Sequence, residues 1–340
     1  MGWGSPRRGY AQSQSCSHLS KQRHEQKPEL SSPTFLSLFV AGGVLEPFDD
    51  FSYEGNQGPD HWADTYQTCR GKYQSPIDID EHQVLRVHLT PIRYEGFETP
   101  PLSSTITNNG HTVLLKLNMS EQATISGGPL KGKYVFSQLH FHWGQNDSFG
   151  SEDLINNHSY PMELHMVFWK RGYGTIEQAQ LHPDGLAVLA FFYEVMASDN
   201  AVYSEMVDYL PHIETPHTKF DLRRQLTLAS LIPCARSHYF TYHGSLTTPP
   251  CLEVVTWIDF KHPIRLSHAQ LEAFRRLRTQ HGFLTHNARP VQPLGGRKVL
   301  YNAGELNLED YDSAAPPRAP AAPAALLAAA ALVLRHACAR

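Results

Sequence analysis

Several features are missing from the chain. No run of basic residues occurs, which argues against a nucleic-acid partner. No His-Glu-x-x-His run occurs, so the helical zinc-peptidase pattern is missing. No internal repeat is visible, and no apolar stretch is long enough to cross a bilayer comfortably. Cysteine is scarce: Cys16, Cys69, Cys234, Cys251 and Cys338 are the only five, an odd number. Of 340 residues 41% are hydrophobic and 18% charged, with a formal net charge of −4. That balance suits one large domain, or at most two.

The two ends differ in composition from the middle. Residues 1–46 read as a leader: polar and rich in Ser, Gln, Arg and Lys to about residue 33, then a short apolar run over residues 35–43 that ends in small residues, the pattern of a signal-peptide core. A myristoylation motif is ruled out because Pro6 occupies the sixth position. Residues 306–340 read as a tail. Ser313, Ala314 and Ala315, a Pro/Ala spacer and an apolar stretch over residues 324–334 follow the order of a GPI-attachment signal. The polar ending from Arg335 onward leaves a low-complexity tail without function as the alternative. Three sequons place Asn118, Asn146 and Asn157 as glycosylation candidates, and together they point to a secreted chain. Cys234, with no assigned partner, is expected as a buried, inert thiol.

Between the ends, residues 47–305 form the expected domain. Its apolar runs are broken by turn signals at Gly127-Gly128-Pro129 and Pro249-Pro250. Residues 111–118 alternate, with Val113, Leu115 and Leu117 on one side; residues 186–193 are continuously apolar, as in a strand covered on both faces. Residues 254–260 are β-branched and aromatic. Helices are fewer: residues 200–210, and residues 269–278 behind a capping box from Ser267 to Gln270. The expected class is α+β and β-dominated, a single domain with a large twisted sheet of mainly antiparallel or mixed character and short peripheral helices.

The chemistry concentrates in one strand pair. Leu139, Phe141 and Trp143 alternate with His140 and His142, a period of two that sets both imidazoles on one face. Residues 162–169 read as a second strand, with Glu163 and His165 sharing a face. If the two strands are neighbours, three neutral imidazoles converge and leave a fourth position open, the donor set of a catalytic rather than a structural zinc. Gln138 and Glu163 each stand two residues before a candidate ligand, where they can hold its second ring nitrogen. Taken singly, each histidine has a plainer reading, because the chain holds 20 of them.

Gln138 to Gly144, Gly150 to Glu152, Glu163 to His165 and Ser245 to Pro250, with Gln74 to Asp78 and Asn108 to His111, resemble the α-carbonic anhydrases in content and order. The resemblance runs from about Tyr53 to about Leu300. It implies a sheet of about ten strands and zinc held by His140, His142 and His165. It also implies reversible hydration of carbon dioxide to bicarbonate and a proton by a zinc-bound hydroxide. Thr247, held as donor to Glu152, would orient that hydroxide; Val167, Val188, Leu246, Thr247, Thr248, Val255 and Trp257 would line the substrate site. His111 would shuttle protons through waters ordered by Tyr53 and Asn109, since an imidazole titrates near neutral pH. Asn287 and Arg289 would support the ligand shell. Sulfonamide-type inhibitors would bind.

In extracellular members Cys69 and Cys251 would form a disulfide, closing a loop of about 180 residues and stabilising by roughly 5 kcal/mol. The implied setting is the cell surface, through a lipid anchor, with secretion as the second choice. Two departures stand out. Leu114 occupies a position that is often polar in fast members, and Asp153 replaces a usual histidine. Two rivals remain: a related ectodomain that binds without catalysis, and a zinc hydrolase of esters or peptides.

Overall fold

The computed structural model describes residues 51–304. The leader, the tail, Cys16 and Cys338 lie outside them. Ten strands form the continuous path of a twelve-stranded mixed sheet. In chain order they are β1 (Leu85–Val87), β2 (Ser103–Asn108), β3 (Val113–Asn118), β4 (Tyr134–Trp143), β5 (Met162–Lys170), β6 (Leu186–Met196), β7 (Lys219–Leu222), β8 (His238–Gly244), β9 (Val255–Ser267) and β10 (Leu300–Ala303). Across the sheet they run β7-β2-β3-β4-β5-β6-β9-β8-β10-β1. The β6–β9 and β10–β1 pairs are parallel and the rest antiparallel. The β-dominated mixed sheet expected from the sequence is the one observed.

The strands form where side chains alternate between two buried faces. Leu139, Phe141, Leu164, Met166, Phe168, Leu189, Phe191, Ile258 and Phe260 pack into the larger core. Val167, Val188, Ala190, Phe192, Phe240, Tyr242, Val255 and Trp257 pack into a second core on the opposite face. The central strands β5 and β6 are therefore apolar almost throughout, as a sheet covered on both sides demands. The imidazoles of His140 and His165 emerge on the second face.

Helices are short, as expected. α1 (Ser204–Tyr209) begins later than the sequence pattern suggests, because the Asn200 carboxamide accepts from Val202 N at 3.0 Å and closes a turn first. α2 (His268–Phe274) opens on the expected capping box: Ser267 Oγ accepts from Gln270 N, and Gln270 Oε1 accepts from Ser267 N. It stops at Phe274, four residues early. Arg278 N donates to Glu214 O, and Arg278–Thr279 pairs with Gly282–Phe283 instead.

Cys69 and Cys251 are bonded, across a sequence separation of 182. Cys234 departs from expectation. It is exposed and disulfide-bonded, not a buried thiol, because Pro233 and the polar Arg236-Ser237 beside it put this connection at the surface. Among the described residues no helix is long and apolar enough to cross a membrane. Opening the Cys69–Cys251 loop with a Cys69→Ser, Cys251→Ser double variant should cost about 2–5 kcal/mol. The check is the urea midpoint, with an unchanged midpoint contradicting it.

Candidate metal centre

Cross-strand register assembles the centre. His140 on β4 pairs directly with His165 on β5, and His142 pairs with Glu163. Directly opposed residues share a face at close range, so the His-x-His of one strand meets the Glu-x-His of the next. The ring centroids of His140, His142 and His165 lie 4.6–5.2 Å apart. One ligating nitrogen from each lies within 4.8 Å of the others, a group that could hold a metal ion. An ion with bonds of about 2.0–2.1 Å would draw them closer still.

Each ring is fixed by an acceptor on its far side. His140 Nδ1 lies 3.0 Å from Gln138 Oε1, His142 Nδ1 2.8 Å from Asn287 O, and His165 Nε2 2.7 Å from Glu163 Oε1. Asn287 O and the carbonyl end of Gln138 have no proton to give, and Glu163 has none when ionised, so each ring nitrogen facing them is then the N–H. The lone pairs then sit on Nε2, Nε2 and Nδ1, all turned inward. His142 Nε2 is buried with no hydrogen-bond partner, the state expected of a ligand atom whose partner is an ion. Burial holds His140 and His142 well below the usual imidazole range and pushes His165 down to about 3. The three rings are therefore neutral donors, which fits zinc.

The loop from Gly144 to Pro161 returns a carboxylate beneath the rings. A Cβ on Gly144 would meet Phe149 O at 2.0 Å, and Gly150, at φ +153°, leaves Pro161 O no room for one either, at 2.1 Å. The tight return brings Glu152 Oε1 to 3.3 Å from His142 Nδ1 and Oε2 to 3.9 Å from His165 Nδ1. Glu163 Oε2 accepts from Glu152 N at 2.8 Å and Asp153 N at 3.0 Å. Burial raises the Glu163 carboxyl to about 8 and Glu152 well above its usual range. Thr247 interacts with the Glu152 carboxylate and pulls it back down. Glu152 Oε2 is buried and has no direct hydrogen-bond partner.

Beside the rings, Gln138, Val167, Val188, Trp257 and Tyr242 form one row across β4, β5, β6, β9 and β8. The Trp257 ring lies 4.8 Å from that of His165, and its Nε1 donates to Ser245 O at 3.1 Å. Val167, Val188, Val255 and Trp257 belong to the apolar core on this face, with Leu246 packed against it. Thr247 is buried and Thr248 half-buried on the turn that follows β8.

His111 lies on the turn before β3, where its backbone O accepts from Asn287 Nδ2 at 2.9 Å. Its ring stacks on Phe51, centroids 3.9 Å apart at 11°. The sequence carried no signal for Phe51 as its partner. Asn109 Oδ1 is committed to that turn, accepting from His111 N and Thr112 N. Phe51, Tyr53, Gly110, His111, His281 and His286 help line a cavity of about 410 Å³; His140, His142 and His165 are not among its lining residues. Tyr53 Oη is buried without a partner, and burial, then the Glu152 charge, raises its pKa well above the phenol range. Leu114 pairs with His140 across β3 and β4. Asn118, Asn146 and Asn157 are all exposed.

A family profile described as eukaryotic-type carbonic anhydrase matches residues 57–303. The chain belongs to that family. It is 40% identical over 257 residues to carbonic anhydrase 7 of Mus musculus, covering 73% of this chain and 96% of that one. It is 36% identical over 274 residues to carbonic anhydrase 6 of Homo sapiens, covering 78% and 88%. With carbonic anhydrase 15 of Mus musculus it shares 38% over 256 residues, covering 71% and 79%.

Arg289 ties the carbonic anhydrase site to the disulfide, more than its place in the sequence suggested. Its backbone N–H donates to Glu152 Oε1 at 2.8 Å. Its guanidinium donates to Gln74 Oε1, Ser75 O and Cys69 O at 2.8–3.2 Å. Arg289→Met would strand these buried acceptors and remove the counter-charge to Glu152, at a cost of about 3–5 kcal/mol in a urea titration. Arg289→Lys should recover little, because an ammonium cannot span the fork. Full recovery by lysine would contradict this role.

Proposed function

We propose that this carbonic anhydrase hydrates carbon dioxide reversibly, using zinc held by His140, His142 and His165. The observation that carries the reading is the locked triad: three neutral imidazoles, each with its outer N–H engaged, aim three lone pairs at one point. When bound, zinc supplies Lewis acidity that yields a hydroxide nucleophile near neutral pH.

The chain's own residues do the rest. Gln138, Glu163 and Asn287 hold tautomer and ring orientation. Glu152, accepting from Arg289 N, keeps one oxygen for the Thr247 hydroxyl; a hydroxyl locked as donor there can only accept on its other side, which orients the nucleophile. Val167, Val188, Leu246, Val255 and Trp257 exclude water from the place where an apolar substrate sits, and Thr248 lines the product side. Carbon dioxide has no leaving group, so no general acid is needed at the carbon. The proton left over must reach solvent, and His111, backed by Phe51 and close to Tyr53, is the shuttle in this reading. Sulfonamide-type inhibitors would compete for the same position.

We further infer that the protein works outside the cell. The Cys69–Cys251 disulfide and three exposed sequons support this reading. In it, residues 1–46 are the leader, residues 47–305 the catalytic domain, and residues 306–340 the signal for a GPI anchor. Release from cells by a phosphatidylinositol-specific phospholipase tests the anchor.

Purified protein should hydrate carbon dioxide and lose that activity to a chelator, regaining it with added zinc. His140→Ala, His142→Ala and His165→Ala should each lose stoichiometric zinc; full retention in all three would refute the ligand set. His111→Ala should slow turnover in weak buffer by about 100-fold, the lower end of the range for removing a proton-transfer group. Added imidazole should restore it, and absence of rescue would put the shuttle elsewhere.

A further inference from the structure

Continuing the row of the metal centre across the sheet leads to a charged group that the catalytic reading does not use. His140 pairs with His165, His165 with Ala190, Ala190 with Asp259, and Asp259 with Phe240. All of these side chains therefore share one face, and only the methyl group of Ala190 separates the position of Asp259 from that of His165. Asp259 has no solvent exposure, and neither carboxylate oxygen has a hydrogen-bond partner. An ionised carboxylate left unpaired in an apolar core is among the costliest arrangements a protein can hold. Something must neutralise it.

A metal cation does not fit. Hard cations want about six to eight oxygen ligands, and the register neighbours on this face are Ala190, Phe240, Trp257 and Tyr242. Among the described residues the three histidines are the one group gathered for a metal. We propose that Asp259 holds a proton in the folded protein and forms, with the nearby ionised Asp153, a buried acid–carboxylate pair behind the metal centre.

The hydrogen bonds decide which partner keeps the charge. Asp153 Oδ1 accepts from Ile77 N at 2.7 Å and lies 3.0 Å from Tyr242 Oη, which also lies 3.1 Å from Ser75 Oγ. Asp259 receives no such donor. Burial, then the Asp153 and Glu163 charges, pushes Asp259 well above the usual carboxylate range. Burial, then the Glu163 charge, raises Asp153 as well, but the Ile77 and Tyr242 donors work against that rise and Asp259 has no counterpart to them. The titratable groups around the pair are Glu163 and His165 on β5, Asp153 and Glu152 on the loop before it, Tyr242 on β8, and Arg297, whose charge acts on Asp153 and Tyr242. On this face β6 contributes Leu186, Val188, Ala190 and Phe192, with Glu194 towards its end, and β9 carries Lys261 two residues beyond Asp259, paired with Glu81.

An unfolded aspartate releases its proton at about pH 3.9. The folded protein keeps the Asp259 proton to higher pH, so above about pH 4 it binds one more proton than the unfolded chain. Stability from this group is complete below that pH and is lost as pH rises towards the folded value. Asp259→Asn and Asp259→Leu are neutral throughout and remove the linkage.

The experiment compares zinc-loaded wild-type protein with both variants by urea unfolding from about pH 4.5 to 7. Relative to either variant, the unfolding constant of the wild type should rise by up to tenfold per pH unit. The carboxylic-acid carbonyl absorption of the wild type at neutral pH should lose intensity equal to one acid in the infrared spectrum of each variant. A pH-independent difference, or a carboxylic-acid absorption undiminished by both substitutions, would overturn the proposal. So would wild-type stability that depends on sodium, potassium or calcium while that of Asp259→Leu does not. If the variants fail to fold, the infrared spectrum of the wild type still decides, since absence of any buried-acid band refutes it.

Discussion

The pairing of His140 with His165 at the centre of the sheet is the constraint on which the site rests. A strand that slips by one residue turns every side chain to the opposite face. Here a slip of β4 against β5 would bury Leu139 and Phe141 where the imidazoles belong, and would send the histidines into the larger core. The register is held from outside as well as within. β5 and β6 are apolar on both faces, Trp143 Nε1 donates to Leu284 O, and Asn287 accepts from Trp143 N and donates to Phe141 O. The packing that makes the fold stable is thus the same packing that fixes where the lone pairs point.

That fixed geometry carries an electrostatic burden. Glu152, Asp153, Glu163 and Asp259 are all buried on the same side of the sheet, and the cations that face them are few. Arg289 is buried, and that burial brings it down to about 10. Arg297 reaches Gln74 O and His243 O from the rim. A divalent ion held by neutral ligands keeps its whole charge, which is what a nest of carboxylates lacks. Glu152 and Glu163 gain most from such an ion, because their oxygens touch the ligand rings. Asp259, two strands further out and without donors, gains least, and this is the physical ground for its holding a proton instead.

Much of this was legible in the sequence because it follows from side-chain period. The alternation around His140 and His142, the continuous apolar run of β6 and the capping box of α2 are local patterns, and they name their elements directly. The ligand partners Gln138 and Glu163 were legible for the same reason, at two residues from their histidines. What the sequence withheld was tertiary. Phe51 stacks on His111 across a stretch of chain with no periodicity. α2 ends early because Arg278 finds Glu214 in another element. Cys234 lies at the surface, against the usual preference of cysteine for the interior. Asp259 sat unremarked inside an apolar strand, since a single acidic residue in a β-branched run reads as an ordinary outward-facing position.

Asp153 shows how one departure from a family pattern draws in a second. An imidazole at that position could both donate and accept, whereas a carboxylate only accepts. The donors Ile77 N and Tyr242 Oη suit the carboxylate, but its added negative charge falls on a region that already holds Glu163. The charge can be tolerated only if a neighbouring acid stays neutral, and Asp259 is that neighbour, placed by β-sheet register in line with the metal ligands and sealed by Ala190, Phe240 and Trp257. On this argument neither aspartate is interchangeable with its counterpart alone. A histidine at position 153 would lose the carboxylate that Tyr242 and Ile77 serve, and would leave Asp259 without the negative charge that helps keep its proton bound.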